Sequence, residues 1–229
     1  MKRHTCYTAT RMKEPDSRLP DAPRVPRRLP AGALAHLEGD QEYVALAITG
    51  GDLTNQVAAG VSLEELSLRR TTLIGARLPG LRLLDVRLEA CDLSGAFLEG
   101  ARFSRVEFRQ CRLLGAQLLN AQLDDVFFRE CNLGGAVFAS SRTRRLYFQD
   151  CNLREASFED AALEGATFQR CDLTNADLRN ATLEAADLRG STLDGLLVTP
   201  KDLHGTIISP SQAVQTAGLL GITVLEETP

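Results

Sequence analysis

The apolar residues of this chain recur at every fifth position. There are 29 such positions between Leu53 and Leu193, and 27 of them hold Leu or Phe; the exceptions are Ala58 and Thr143. A period of five does not suit an α-helix, because five residues turn the helix by about 500°. It does not suit a flat strand either, because an odd period alternates between the two faces. The pattern is typical of a chain that turns a corner after every fifth residue and points one large apolar side chain inward from each side.

A second, longer period spans four pentads and indicates how many sides one coil has. The cysteines and one set of phenylalanines each repeat at this spacing: Cys91, Cys111, Cys131, Cys151 and Cys171, and Phe108, Phe128, Phe148 and Phe168. Residues that are four pentads apart stack directly if each coil has four sides. The residue two before each large apolar position is small in most pentads, usually Ala or Cys, so both inward positions fit a narrow core. The sequence therefore predicts an all-β fold, a right-angled parallel β-solenoid with four pentads per coil.

The repeat also resembles a known family. The strings CDLSGAFLEGARF, CNLREASFEDAALEGATF and CDLTNADLRNATLEAADLRG resemble the A(D/N)LxX consensus of pentapeptide-repeat proteins. The resemblance implies a right-handed quadrilateral parallel β-helix, and its phase can be followed from Tyr43 to Ile208. It is specific for the fold and says little about function, because the repeat residues are structural.

The composition divides the chain into three parts. Residues 1–40 hold five of the nine prolines, between Pro15 and Pro30, together with several arginines. We expect a flexible, basic Pro/Arg-rich arm there, followed by an N-terminal cap, and the arm is either a tail that touches an acidic partner or a disordered leader. Residues 41–208 are the β-helix. Residues 209–229 are expected to form a C-terminal helix and a segment for capping and dimerisation.

The C-terminal segment carries signals for a short helix. Ser209 suits the N-cap, Pro210 the first turn and Gln212 a capping box. We expect Ala213, Val214, Ala217 and Leu220 to cover the last coil. The segment QAVQTAGLLGI resembles the C-terminal module of pentapeptide-repeat proteins that protect DNA gyrase from quinolones. Those proteins dimerise end to end, so the resemblance implies a homodimer, with an expected interface of Val214, Ala217, Leu219, Leu220, Ile222 and Val224.

No pattern in the chain indicates catalysis or a cofactor. His4, His36 and His204 are scattered, and no phosphate loop or nucleophile motif is present. The cysteines are too far apart for a zinc site, and we expect them to be buried, reduced, small apolar residues. The chain has no apolar run long enough to span a bilayer and no secretory signal, so we expect a cytoplasmic protein. Because no catalytic or metal-binding pattern is present, we also expect it to be non-enzymatic and without cofactor or metal.

Charge changes sign along the solenoid. Residues 69–145 carry 13 Arg and 8 acidic residues, a net of +5, whereas residues 150–194 carry 4 Arg and 10 acidic residues, a net of −6. Dimerisation through the C-termini would place two acidic segments together and produce a negative rod, which a DNA-binding groove could recognise. The alternative is that these charges only confer solubility. The ten candidate partner-binding residues are Asp150, Glu155, Glu159, Asp160, Glu164, Asp172, Asp177, Glu184, Asp187 and Asp194.

A second candidate contact patch surrounds the segment SSRTRRLYF. Phe127 and Tyr147 occupy outward positions four pentads apart, close in sequence to Arg142, Arg144 and Arg145. An exposed aromatic pair beside arginines is typical of a protein contact site, and bases can also stack on such a pair. The alternative is a local bulge with a polar lining, since Ser141 and Thr143 fill inward positions. Direct nucleic-acid binding is not expected, because acidic neighbours interrupt the basic strip.

The family resemblance and the acidic coils together lead to one functional hypothesis. We expect a DNA mimic that binds a type II topoisomerase, DNA gyrase or topoisomerase IV, and modulates it or protects it from an inhibitor. The alternative is a generic protein-binding scaffold with an unknown partner. Surface charge discriminates the two, because mimicry needs a negative surface and a scaffold needs an exposed apolar face.

Overall fold

The five-residue period is produced by a left-handed backbone conformation at each corner. In the computed structural model, which describes residues 19–219 and 221–225, φ is 55° at Asp85, 53° at Ala90 and 63° at Gly95, and the same sign recurs at the corners of the other coils. The N–H of each corner residue donates to a carbonyl of the next coil, as Ala90 does to Arg109 at 2.9 Å. These hydrogen bonds offset the strain that a side chain causes in this conformation.

The coils stack in parallel with a register of four pentads. Phe108 lies opposite Phe128, for example, and the same offset relates every neighbouring pair from β2 to β10, whereas β1 pairs with β3 at an offset of 16 residues. The rod has about seven turns, which confirms the predicted all-β parallel β-helix with one short C-terminal helix. The strands are β1 (Ala31–Gly32), β2 (Glu42–Val44), β3 (Ala47–Thr49), β4 (Ser62–Glu64), β5 (Ser67–Arg69), β6 (Arg82–Glu89), β7 (Arg102–Arg109), β8 (Gln122–Arg129), β9 (Arg142–Gln149) and β10 (Thr167–Gln169), and the helix is α1 (Pro210–Leu219).

We number the four sides of the rod by their central inward residues. Face 1 is centred on Leu83 and its equivalents on the other coils, face 2 on Leu88, face 3 on Leu93 and face 4 on Leu98. The long strands β6 to β9 run through faces 1 and 2. Faces 3 and 4 are held by single parallel bridges between coils, such as Asp92 to Arg112.

Two interlocked columns of phenylalanine form the centre of the core. Along face 2, Phe128 and Phe148 stack with ring centroids 4.9 Å apart and planes 9° from parallel. Along face 4, Phe138 and Phe158 stack in the same way at 5.0 Å. Rings of the two columns meet edge to face, as Phe138 and Phe148 do at 6.0 Å. All four rings are fully buried, so each coil is locked both to the next coil and across the core.

The cysteine column is buried as expected, but its side chains do more than fill space. All five cysteines from Cys91 to Cys171 are free and buried. The thiol of Cys131 donates to the carbonyls of Phe108 (3.5 Å) and Arg129 (3.2 Å). At the C-terminal end of the column, the hydroxyl of Ser191 donates to the carbonyl of Phe168 at 2.9 Å. The column therefore selects a small side chain that can donate a hydrogen bond, which the spacing alone did not reveal.

Thr143 occupies an inward position of face 1 that most other coils fill with Leu or Phe, and it does not cause a bulge. The Thr143 hydroxyl donates to the Ala162 carbonyl at 2.9 Å, and β9 keeps its register, with Thr143 opposite Leu123. Ser141 is buried, and its hydroxyl has no hydrogen-bond partner among the described residues. The alternative of a local bulge is therefore wrong, because the hydroxyl of Thr143 bonds within the regular ladder.

The arm lies against the rod where the structure describes it. Residues 19–30 lie lengthwise along the corner between faces 1 and 2. The N–H of Asp21 donates to Asp125 at 3.0 Å, and the N–H of Arg24 donates to Asp85 at 2.8 Å. Residues 1–18 lie outside the described part of the chain. The arm stays on the rod because buried corner carboxylates accept its backbone N–H groups.

After the arm, the chain closes the N-terminal end of the rod. Pro30 accepts a hydrogen bond from the N–H of Ala47, and β1 pairs with β3. Leu34 and Leu37 are buried against the first coil. These two leucines supply the apolar cap that a solenoid needs at an open end.

The C-terminal helix begins as predicted but covers the last coil with a different face. The predicted capping box is present, because the Gln212 side chain accepts from the N–H of Ser209 at 2.8 Å and Ser209 accepts from Gln212 at 3.3 Å. The Gln212 amide also donates to the carbonyls of Leu188 and Ser191, both at 2.7 Å.

The buried side of the helix is therefore polar, and the expectation of an apolar covering face was wrong. Gln212 and Thr216 are buried, whereas Ala213 and Val214 are exposed. The last coil presents carbonyls that have no further coil to bond, and a polar side chain satisfies them better than an apolar one. Leu220, expected on the covering face, lies outside the described residues.

Replacing Phe148 with Ala should be among the most destabilising single changes. The stacked contacts to Phe128 and Phe168 would be lost, and the cavity should lower the free energy of unfolding by about 3–5 kcal/mol. Phe148→Leu is the matched control, because Leu88 fills the same column, and it should cost about 1 kcal/mol. Chemical denaturation would measure both; an unchanged midpoint for Phe148→Ala would contradict the stacking argument.

The cysteine column should resist thiol reagents while the protein is folded. All five thiols are buried, which shields them from the reagent, and contact with the neighbouring thiols together with burial raises the pKa of Cys131. In a Cys6→Ala variant, which leaves only the column cysteines, iodoacetamide should modify none of them under native conditions and all five in denaturant. Rapid native labelling at any of the five would show that the column opens.

Candidate functional site

The ten predicted acidic residues lie on coils at the C-terminal part of the rod, but not on one side of it. Pentad positions place them as follows: Glu164 and Glu184 on face 1, Asp150 and Asp187 on face 2, Glu155, Asp172 and Asp194 on face 3, and Glu159, Asp160 and Asp177 on face 4. The ten residues are thus distributed over all four faces of the rod rather than along one stripe.

Four of these carboxylates are neutralised by the four arginines of the same coils. Asp150 pairs with Arg170 at 2.6 Å, and the hydrogen bonds from Arg170 lower the pKa of Asp150. The other pairs are Asp172 with Arg154, Asp177 with Arg179 and Asp187 with Arg189. The remaining six have no ion pair among the described residues, and they account for the net charge of −6: Glu155, Glu159, Asp160, Glu164, Glu184 and Asp194.

Three of the unpaired carboxylates are grouped around face 1. Glu164 and Glu184 occupy equivalent positions on successive coils, and the N–H of Gly165 donates to the Glu184 carbonyl at 2.9 Å. Asp160 is the corner residue that leads into the same face, and all three are exposed. Like charges in register destabilise a sheet, and no arginine of the described part neutralises this group.

In the middle coils, five of the 13 arginines pair with an acid one coil away. Arg69 contacts Glu89 at 2.6 Å, and Arg87 contacts Glu107 at 3.1 Å. Along the corner between faces 1 and 2, Arg105 makes two hydrogen bonds to Asp85, and Arg145 does the same with Asp125. The net charge of +5 in this stretch remains, because seven of its 13 arginines have no ion pair among the described residues.

Three of the arginines without an ion pair form a column on face 1. Arg82 and Arg102 lie directly opposite each other on β6 and β7, and Arg142 follows two strands later beyond Gln122. All three arginines are exposed, and none has an ion pair in the part of the chain that the structure describes. Face 1 thus changes from basic to acidic between Arg142 and Glu164.

The second predicted patch is only partly assembled. Phe127 and Tyr147 do meet on face 2, with ring centroids 4.9 Å apart at 76°, but both side chains are half-buried. The Tyr147 hydroxyl donates to Gln169 at 2.8 Å, and burial raises its pKa. The cation over the Phe127 ring is Arg129, at 4.7 Å, which sequence reasoning missed although it lies two positions away on the same strand.

The arginines predicted for that patch point elsewhere. Arg142 and Arg144 lie on face 1, and Arg144 pairs with Asp124 at 3.3 Å. Arg145 occupies the corner and binds Asp125. These arginines belong to the pentad directly before that of Tyr147. The corner between faces 1 and 2 lies between the two pentads and turns the arginines away from the aromatic pair. The structure therefore separates the patch into a basic face and an aromatic face.

Face 4 carries an apolar surface that the sequence reasoning did not recognise. Val57 is 68% exposed and Phe97 is 42% exposed. Between residues 57 and 140 the outward positions of this face include only two charged residues, Arg77 and Glu99. The guanidinium of Arg77 lies 4.4 Å from the Phe97 ring centre. The signal was present in the sequence as apolar residues at the outward positions of every fourth pentad.

The predicted dimer residues lie at the C-terminal end of the rod. Val214 on α1 is exposed, as are Ile222 and Val224 in the segment after the helix, and Ala217 is half-buried. Leu220 and the side chain of Leu219 lie outside the described part of the chain. The end of the rod therefore presents apolar side chains to solvent in the single chain.

Two kinds of feature are absent from the described part of the chain. No group of three or more His, Cys, Asp or Glu side chains among them is arranged to hold a metal ion. No helix within the described ranges has the length and apolar character needed to cross a bilayer.

The family profile described as "Pentapeptide repeat region" matches residues 81–158 and 131–198 of this chain. No curated protein sequence matches it. Solved structures similar to the chain include trypsin-treated QnrB1, a plasmid-mediated fluoroquinolone resistance protein, with 22% identity over 86% of this chain and 100% of that one, at a TM-score of 0.40. Another is HetL from Nostoc sp. strain PCC 7120, a pentapeptide repeat protein involved in heterocyst differentiation regulation, with 20% identity over 74% and 90% of the two chains, at a TM-score of 0.36.

Asp85→Asn should destabilise the protein at neutral pH and lose its effect in acid. Hydrogen bonds from Arg105 lower the pKa of Asp85 below its ordinary value of 3.8. A carboxylate with a lowered pKa stabilises the fold above the ordinary value, and this contribution is lost as the pH falls through the folded-state pKa. We expect Asp85→Asn to lower the free energy of unfolding by about 1–2 kcal/mol at pH 7.

Thermal melts of wild type and variant between pH 7 and pH 2 would measure this effect, and the two curves should converge below pH 3.8. Asp150→Asn is the matched control, because its ion pair with Arg170 occupies an equivalent corner but is exposed. It should cost less than about 1 kcal/mol. A difference for Asp85→Asn that persists unchanged in acid would contradict a charge-based role.

Proposed function

The chain belongs to the pentapeptide-repeat family, and on that premise we propose that it is a non-enzymatic DNA mimic that binds a type II topoisomerase. The partner is DNA gyrase or topoisomerase IV, and binding modulates the enzyme or protects it from an inhibitor. A cytoplasmic location, where such a partner works, is part of the same proposal. The observation that carries it is the density of unpaired negative charge on the C-terminal coils.

The charge density of those coils is close to that of duplex DNA. Residues 150–194 span slightly more than two coils, or about 11 Å at a rise of about 4.8 Å per coil. Six unpaired carboxylates over that length amount to about one negative charge per 1.8 Å, compared with about 1.7 Å for duplex DNA. The six carboxylates lie on faces 1, 3 and 4, so a positively charged groove meets unpaired negative charge on three of the four sides.

Dimerisation through the C-terminal end would double the length of this acidic segment. Val214, Ile222 and Val224 are exposed at that end, and the coils nearest to it are the acidic ones. Two chains joined there would carry about 22 Å of acidic coil in total, in two segments on either side of the C-terminal coil and helix, with the net basic middle coils further out on each arm. The dimer thereby supports the mimicry, because a groove built for duplex DNA requires extended negative charge.

A second candidate function, a protein-binding scaffold, is favoured by face 4. Its exposed Val57 and Phe97, and the scarcity of charge between residues 57 and 140, give an apolar surface on the part of the rod that lies away from the acidic coils. A partner with an apolar patch would bury these side chains. The two functions make different demands, because mimicry requires the acidic carboxylates and scaffolding requires face 4.

If the acidic coils mimic DNA, the protein should change the supercoiling activity of gyrase or its sensitivity to a quinolone. The triple variant Asp160→Lys, Glu164→Lys, Glu184→Lys should lose this effect, because it reverses charge at three exposed, unpaired positions. The matched control is Glu38→Lys, Glu42→Lys, Glu99→Lys, which changes the net charge equally on exposed positions outside the acidic coils. The control should keep the effect.

The gyrase effect should also weaken steeply between low and physiological salt, as expected for an interaction between charged surfaces. Circular dichroism would confirm that both triple variants are folded. An absence of any effect of the wild type on gyrase and topoisomerase IV at all ratios would reject the proposed function. Equal activity of the two triple variants would reject the role of the acidic coils and favour face 4.

The protein should be a homodimer in solution. Light scattering should give about twice the chain mass of 24.9 kDa, because the apolar C-terminal end is exposed in the single chain. Val214→Glu with Ile222→Glu should give a monomer, since two charges would be buried without partners. Val57→Glu, a similarly exposed apolar position at the other end of the rod, should remain dimeric. A wild-type monomer at micromolar concentration would exclude this interface.

A further inference from the structure

The arm is attached to the corner between faces 1 and 2 at two regularly spaced points. The N–H of Arg24 donates to Asp85, and the N–H of Asp21, three residues earlier, donates to Asp125. Asp85 and Asp125 are eight pentads apart, and so are separated by two coils of the same corner column. The arm therefore advances three residues for every two coils of the rod.

This ratio matches the repeat of a polyproline II helix. Three residues of that helix rise by about 9.3 Å and complete one turn. Two coils of the solenoid rise by about 9.6 Å. Amides three residues apart point the same way only in a conformation with three residues per turn, because in a strand they would point to opposite sides. The two hydrogen bonds to one column thus indicate a polyproline II conformation.

The arm sequence suits this conformation. Pro20, Pro23 and Pro26 recur at every third position, and the residues that follow the first two are those whose N–H groups are bound. Pro20 and Pro23 are half-buried against the rod. A polyproline II helix has no internal hydrogen bonds, so its free N–H groups are available to an external acceptor.

The corner column is built to present carboxylates to such a segment. Asp85 and Asp125 are 6% and 4% exposed, and each is held by two hydrogen bonds from an arginine one coil further along, Arg105 and Arg145. The paired arginines fix the orientation of the carboxylates, and one oxygen of each accepts the peptide N–H. Asp150 and Arg170 form the same kind of pair at the next corner of the rod, but no arm residue of the described part contacts them.

We propose that this corner column is a binding site for a Pro-x-x-Pro segment in the polyproline II conformation, and that residues 19–30 are a resident ligand that occupies it in cis. In the described residues the arm is held there by two backbone hydrogen bonds to side chains and by half-buried prolines, not by a strand ladder. A Pro-x-x-Pro segment from another protein forms the same contacts and replaces the arm. The arm therefore regulates access to the site.

The test uses the full chain and a fluorescent synthetic peptide with the sequence of residues 19–30. The wild type should bind this peptide weakly, because its own arm competes at a high effective concentration. The variant Pro20→Gly, Pro23→Gly loosens the resident arm without altering the β-helix, and should bind the peptide at least fivefold more tightly in fluorescence anisotropy. A peptide with glycine in place of both prolines should bind at least fivefold less tightly than the original peptide.

Substitutions in the rod identify the site. Adding Asp85→Asn and Asp125→Asn to the loosened variant should lower its affinity for the peptide at least tenfold. Adding Asp150→Asn instead should leave the affinity within twofold, because that carboxylate lies at a similar corner outside the column. Circular dichroism of all variants would confirm that they are folded. If the loosened variant fails to bind the peptide, or if Asp150→Asn weakens binding as much as the column double substitution, the proposal is wrong.

Discussion

The in-register stacking of identical corners is the constraint on which the rest of this structure depends. Each corner N–H donates to the next coil, as Ala90 does to Arg109, so a residue always meets the one four pentads away. Inside the rod, this forces large side chains to stack on large ones and thiols to lie above thiols. On the outside of the rod, charged residues lie next to each other along columns. A charged residue whose neighbour in the column does not carry the opposite sign weakens the stacking. Unpaired columns on the surface are therefore informative.

Two columns on face 1 depart from charge pairing, and they do so with opposite sign. Arg82 and Arg102 face each other on adjacent strands, whereas Glu164 and Glu184 occupy equivalent positions on successive acidic coils. Other arginines of the middle coils are paired with acids, as Arg87 is with Glu107. The contrast distinguishes charges that hold the rod together from charges that remain available to a partner. The functional proposal relies only on the second kind.

The C-terminal end and the arm show how polar contacts adapt the regular rod to its surroundings. The last coil leaves carbonyls with no further coil to donate to them, and Gln212 donates to two of them. The arm, in turn, presents backbone N–H groups that strands would normally satisfy, and Asp85 and Asp125 accept them. In both places, buried backbone groups had to be satisfied outside a strand ladder, and side chains did so.

The two repeat periods, one pentad and four pentads, were sufficient to predict the coil and the inward columns, and local signals predicted the capping box at Ser209. Each of these depends on residues close in sequence or on a strict repeat. The same repeat could assign the acidic residues to coils and to faces. It could not show which acids are paired: Asp172 reaches Arg154 through a side-chain conformation that only the folded surface determines. Nor could it show that Arg145 turns to Asp125 and away from Tyr147.

The contacts of the arm are the feature that the sequence alone could least predict. Its prolines and arginines resemble those of an unstructured leader, and nothing within residues 19–30 reveals that Asp85 and Asp125 lie two coils apart at one corner. That distance exists only once the solenoid has formed, because it is set by the stacking of coils. The sequence by itself determined the repeating core, since a periodic pattern has one way to bury its leucines and phenylalanines. The tertiary structure decided which surface charges are satisfied and what lies on the corner, because these depend on side-chain conformations and on contacts between residues up to 104 positions apart.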